Sequence, residues 1–193
     1  MKTFDLFVVE LEKLTNDTIT TEGGLELYIE TKFNEFTHRV TEGPVVAVPF
    51  KYDTGVSVGD TLYFHHLVVM NEGQPLTGED NHYLVRYTPH HTVNNQAIAY
   101  KNKDGEITPL GGWVLLTPVD EDSPNQDSSL EVVSFEEPTV TRGRLAFSTP
   151  ETEYLELEEG DIVGFPVNRD YSITIDGDEY YRVRNEDLLY VED

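Results

Sequence analysis

The sequence predicts an all-β protein made of two tandem small barrels, and three observations carry that prediction. Apolar runs are short, rich in Val, Ile, Tyr and Phe, and are broken at close intervals by Gly, Pro, Asn or Asp. No long stretch has helical periodicity. Most telling, the chain repeats itself. Val56 to Phe64 reads V-S-V-G-D-T-L-Y-F and Leu155 to Phe165 reads L-E-L-E-E-G-D-I-V-G-F, so Gly59-Asp60 returns as Gly160-Asp161. The flanks return too: Gly43 to Val48 is echoed by Gly143 to Phe147, and Tyr83-Leu84-Val85-Arg86 by Tyr181-Arg182-Val183-Arg184. The offset, 98 to 101 residues, is about half of the 193-residue chain, which means two domains of one kind and not a short-period solenoid. The expected domains are 1–105, the more divergent copy, and 106–193.

In chain order, the first copy offers strands at Leu6 to Leu11, Val45 to Val48, Thr61 to Val69, Tyr83 to Tyr87 and Ala97 to Tyr100. A short polar linker, Lys101 to Glu106, follows. The second copy offers Trp113 to Leu116, Arg144 to Phe147, Ile162 to Phe165, Tyr171 to Ile175, Tyr180 to Val183 and Leu188 to Val191. Asp176-Gly177 between two of these runs is the strongest hairpin signal in the chain. Five or six short strands per copy argue a small barrel.

Two segments break the pattern. Thr15 to Phe36 and Asp120 to Val140 each lie between the first and second strands of their copy, and each is longer than most connections in a compact domain. Both are polar, yet each carries an apolar cluster. In the first, Gly23-Gly24 precedes Leu25, Leu27 and Ile29; in the second, Leu130, Val132 and Val133 follow a run of Ser, Asn and Asp. Long loops in equivalent places are expected to share a task.

Composition narrows the function. With no cysteine, neither disulfides nor thiolate metal sites are available. The formal net charge is −24, and it is uneven: 8 basic against 15 acidic residues to Gly105, then 5 against 22. No Lys/Arg stripe exists to neutralise phosphates, so nucleic acid and anionic membrane are not expected as partners. No apolar run is long enough to span a bilayer, and the opening M-K-T-F-D-L-F-V-V-E meets a glutamate too early for a secretory signal. A soluble cytoplasmic protein is expected.

Taken in order, the second copy resembles the GroES family of co-chaperonins. Ile107-Thr108-Pro109-Leu110 with Trp113 to Leu116 is similar to the family's opening I-x-P-L lead-in and strand, and Thr141-Arg142-Gly143-Arg144-Leu145-Ala146 to its T-R-G-x-V-x-A strand. Leu157 to Phe165 is similar to its V-K-x-G-D-x-V-x-F signature, and Glu186 to Val191 to its closing E-x-D-I-L-A. The first copy keeps Gly59-Asp60 and Phe64, and Gly23-Gly24-Leu25-Glu26-Leu27 is similar to the G-G-I-V-L of the family's mobile loop. It lacks the lead-in and carries an insertion from Asn71 to Asn81.

That resemblance implies a homo-oligomeric ring that caps a GroEL-type chaperonin, ATP-bound or ADP-bound, and encloses a folding client. Gly23, Gly24, Leu25, Leu27 and Ile29 would bind the chaperonin from the first loop, and Leu130, Val132 and Val133 from the second. A segment that orders on contact gives up part of its binding energy and so binds reversibly, as a cycling lid requires. The family's roof hairpin has only Pro49 to Gly55 and Ser148 to Tyr154 in its place, which implies an open-topped ring, as in some viral co-chaperonins.

Enzyme chemistry finds little support. His65-His66 and His90-His91, with His82, invite a metal, but neighbours on a strand point to opposite faces, and no H-x-H arrangement is present. Acid pairs such as Glu136-Glu137 and Glu158-Glu159 follow from abundance. No nucleophile elbow, phosphate loop or dinucleotide fingerprint occurs. No catalysis and no cofactor are expected. The alternative readings are a structural or assembly β-protein, for example of a viral particle, and a metal-dependent cupin-like enzyme.

Overall fold

The computed structural model of the chain describes residues 2–16, 18–20, 26–28, 39–72, 76, 78, 81–89, 95–119, 140–167, 169 and 171–192. It divides into two compact units, Met1–Gly111 and Gly112–Asp193. The first holds β1 (Leu6–Glu10), β2 (Thr18–Thr20), β3 (Glu26–Tyr28), β4 (Glu42–Ala47), β5 (Thr61–Phe64), β6 (His82–Arg86), β7 (Ala97–Lys101) and β8 (Ile107–Pro109). The second holds β9 (Trp113–Pro118), β10 (Val140–Leu145), the five-residue helix α1 (Pro150–Tyr154), β11 (Ile162–Pro166), β12 (Tyr171–Ile175), β13 (Asp178–Arg184) and β14 (Tyr190–Val191). Short 3-10 turns cover His66–Glu72 and Asn185–Asp187.

Each unit is one six-stranded antiparallel sheet, ordered β6-β1-β4-β5-β7-β8 in the first and β12-β13-β9-β10-β11-β14 in the second, with β2-β3 a separate hairpin. The all-β expectation holds. The closed barrels do not appear: among the described residues no pairing joins the two ends of either sheet. In the first unit the outer edge of β7 is taken by β8, so it is not available to β6.

The repeat read from the sequence is also a repeat of register. Leu6 to Val9 pair with Arg86 to Tyr83 as Trp113 to Leu116 pair with Arg184 to Tyr181. Gly43 pairs with Leu62 as Gly143 pairs with Val163. The Gly-Asp elements are tight turns in both units. Gly59 and Gly160 have φ of 92° and 98°, a region that L side chains avoid. Asp60 Oδ2 accepts the Ser57 N–H at 2.7 Å, and Asp161 Oδ2 accepts the Glu158 N–H at 2.8 Å. The two turns dock identically: Val45 N–H donates to Asp60 O and Leu145 N–H to Asp161 O, both at 2.8 Å.

The cores follow the same correspondence. Val114, Leu116, Leu145, Leu157, Val163, Phe165 and Val183 form the second core, and their partners by register and repeat, Phe7, Val9, Val45, Val56, Leu62, Phe64 and Val85, all lie in the first. A fully buried side chain of this kind contributes roughly 1.5–3 kcal/mol. At Gly143 the crossing strand comes so close that a Cβ would lie 2.7 Å from Leu116 Cβ, which explains a glycine inside β10.

Several elements differ from expectation. The run Thr61 to Val69 is not one strand: pairing with β7 slips at Phe64, and a 3-10 turn begins at His66. Val68 and Val69 still reach the core, 3% and 5% exposed, so the turn satisfies the apolar run without a ladder. Within the stretch 148–154, Pro150–Tyr154 form α1, started by Thr149 and Thr152 in a reciprocal capping box with Pro150 in the first turn. Residues 107–109, read as the lead-in to the second copy, pair with β7 in the first unit. The linker between them is a hairpin turn, in which Asn102 Oδ1 accepts the N–H groups of Asp104 and Glu106. The Asp176-Gly177 hairpin forms as expected, both residues at positive φ between the paired Ile175 and Asp178.

Candidate functional site

The long connections set the first candidate. In both units the chain leaves the sheet after the first strand and rejoins it at the strand that pairs beside it: β1 to β4, and β9 to β10. The first connection is tied at its base, where Thr15 bridges Arg39 and Val40 N–H donates to Leu14 O at 3.0 Å. Within it Leu27 lies in β3, paired through the backbone with Ile19 of β2. Gly23, Gly24, Leu25 and Ile29 lie outside the described residues. In the second unit the connection departs after Pro118, whose partner is Gly143, and rejoins at Val140. Leu130, Val132 and Val133 lie outside the described residues. The structure thus gives the first loop's stem and the exit and return points of the second.

A second candidate had not been read from the sequence. Arg182 is 5% exposed, with its guanidinium 5.6 Å from the centre of the Trp113 ring and 5.3 Å from that of Tyr171. Arg184 approaches the other residues of this cluster at the same indole, 5.9 Å away. Burial is the main cause that lowers the Arg182 pKa to about 10, with the Arg184 charge adding to it. The arrangement follows from β-strand alternation: Arg182 and Arg184 share one face of β13, while Tyr181 and Val183 turn to the core. A sequence signal existed, because Arg182 stands where the first copy has Leu84. A cation stacked on two rings supports packing and gives no nucleophile or acid–base pair.

Histidine does not assemble a metal centre among the described residues. The His65 and His66 rings stack at 4.3 Å, His82 lies in β6, and His90 and His91 fall outside the described residues. No group of three His, Asp or Glu among the described residues is placed to hold an ion. Nor is any helix among them long and apolar enough to cross a membrane.

Exposed apolar side chains mark the surfaces. In the first unit Phe4 and Phe50 stack at 4.8 Å and both face solvent. In the second, Leu189, Tyr190 and Val191 at the sheet edge and Tyr154 with Leu155 at the end of α1 are exposed. Comparison with family models and with curated proteins finds no match for the chain.

Proposed function

We propose that this chain is a tandem GroES-like co-chaperonin: a non-catalytic cytoplasmic protein that assembles with itself into a ring, caps a GroEL-type chaperonin and helps enclose a folding client. The observation that carries the reading is the equivalence of the two long connections, each leaving and rejoining its sheet at the same place in a repeated unit. In this reading each six-stranded sheet is a GroES-like unit, related to that family's small barrel. Gly23, Gly24, Leu25, Leu27 and Ile29 contact the chaperonin from the first connection, and Leu130, Val132 and Val133 from the second. Only apolar anchors on a long tether are needed, which fits a partner that must bind and let go.

The test is electron microscopy of the purified chain mixed with a GroEL-type chaperonin and nucleotide. A cap on the chaperonin end is expected, lost in a Leu25→Asp, Leu27→Asp variant. Bare chaperonin beside free particles overturns the reading in favour of a structural β-protein.

A further inference from the structure

The chain passes from the first unit to the second through a single residue. β8 pairs with β7, Leu110 N–H donates to Ile98 O at 2.8 Å, and Asn95 Nδ2 donates to Gly111 O at 3.2 Å, so the first unit holds the backbone as far as that carbonyl. Asn95 is buried, and it meets Gly111 so closely that a Cβ there would overlap its amide nitrogen. The next carbonyl already belongs to the second unit: Asn185 N–H donates to Gly112 O at 2.9 Å, and Trp113 pairs with Arg184. The Gly111 carbonyl and the Gly112 nitrogen share one rigid peptide plane, and the Gly112 carbonyl lies in the next. Between two anchored planes, therefore, stand only φ and ψ of Gly112. Its φ is 80°.

We infer that Gly112 is a one-residue hinge about which the two units change orientation as bodies, with Asn95 as the clamp that fixes its first-unit side. The repeat separates this role from a need of the sheet. Leu6 pairs with Arg86 as Trp113 pairs with Arg184, so Asp5 stands in the first copy where Gly112 stands in the second. Tyr87 N–H donates to Asp5 O at 3.1 Å, the bond that Asn185 makes to Gly112, and Asp5 accepts it without a left-handed backbone. The sheet therefore does not demand a glycine at this position; the junction does. The two adjacent glycines also differ in role. Gly111 is required by the close approach of Asn95, whereas Gly112 holds the two torsions that neither anchor fixes. A glycine reaches positive and negative φ with similar ease, so both torsions can turn without breaking a bond in either sheet. Motion of this kind is absorbed by a few backbone angles while the packed bodies stay intact. The inference rests on the division into two units and is independent of binding to a chaperonin.

The chain has no cysteine, so spin labels can be placed in chosen pairs on the full chain. Ser57→Cys with Thr174→Cys puts one label on an exposed position of each unit, and Ser57→Cys with Asp104→Cys puts both on the first unit. Labelled chain is diluted into unlabelled chain, so that double electron–electron resonance reads distances within one molecule. The distribution between units is expected to be wider than the one within the first unit. Gly112→Ala confines φ and disfavours the left-handed region, and it is expected to shift the mean between units and remove most of the excess width. Asn95→Asp replaces the donating amide by a carboxylate that repels the Gly111 carbonyl, and it is expected to widen the distribution further. Far-UV spectra that match the parent chain show that each variant is folded, and Gly112→Ala decides the hinge even where the buried Asn95 does not tolerate change. A distribution between units no wider than the one within a unit overturns the inference, as does an excess width that Gly112→Ala leaves unchanged. A width indifferent to Asn95→Asp in a folded chain overturns the clamp.

Discussion

Tyr190 pairs with Gly164 at the register position where Ala99 pairs with Tyr63, so between the two units the large residue has moved to the partner strand. A Cβ on Gly164 would overlap the Tyr190 ring. Each unit thus keeps one aromatic and one small residue at this point of the sheet, and the glycine is protected by the ring that crosses it.

Gly164→Ala is expected to lower the stability of the second unit by about 2 kcal/mol, because the ring must leave its place. The single tryptophan, Trp113, lies in that unit, so its fluorescence during urea unfolding reads the change directly. The double variant Gly164→Tyr, Tyr190→Ala rebuilds the arrangement of the first unit and should recover part of the loss, a coupling of at least about 0.5 kcal/mol. Additive effects would show that the two positions are independent.

The aspartates of the repeated turns should differ in weight. Asp60 is 4% exposed while Asp161 is half-buried, and each accepts a backbone N–H three residues earlier. Removing an acceptor leaves a donor unsatisfied, and the penalty grows with burial. Asp60→Ala should cost about 2 kcal/mol and Asp161→Ala about 1 kcal/mol, measured by urea unfolding. Equal losses would mean that burial is not what distinguishes them.

Arg182 is charged, almost fully buried and held by ring faces. Burial is the largest cause of its lowered pKa, against the opposing effect of Tyr171 and with the Arg184 charge adding to it, so desolvation disfavours the charged form. Arg182→Met keeps the stem and removes the charge, and it should raise stability by about 1 kcal/mol, with a shift in Trp113 emission as the cation leaves the indole. A loss of stability on this change would show that the stacked cation outweighs its desolvation.

Tyr180 supplies a pH dependence. Burial first, then the carboxylates of Asp178 and Asp176, raise its pKa above the ordinary 10.0. The folded chain holds this proton when the unfolded chain has lost it, so the stabilising contribution is complete below pH 10 and is lost as pH rises through the folded value. Tyr180→Phe should flatten that alkaline decline, measured as urea midpoints between pH 9 and 11. An unchanged slope would remove Tyr180 as its source.

Much of this was legible because it rests on local chemistry. Gly59-Asp60 and Gly160-Asp161 specify a turn through a positive φ and a short side-chain hydrogen bond, both encoded within four residues. The Asp176-Gly177 hairpin is local in the same sense. What resisted reading was pairing at a distance. Nothing in Thr61 to Val69 says that the ladder slips at Phe64, since the apolar run suits strand and turn alike. Of the proposed chaperonin-binding residues, the sequence supplies the pattern and the structure places Leu27 alone, in β3.

By itself, then, the sequence determined an all-β chain of two like copies, the glycines and aspartates of its turns, and the strongly acidic charge. Those follow from side-chain alternation, backbone conformation and composition, which act residue by residue. Only the tertiary structure decided that β8 lies on β7, that among the described residues no pairing closes either sheet, and that Arg182 is buried on Trp113 and Tyr171. Each depends on which strand edge meets which. The backbone of an edge strand offers its hydrogen bonds to any partner, so the choice falls to long-range packing that no short stretch of sequence contains.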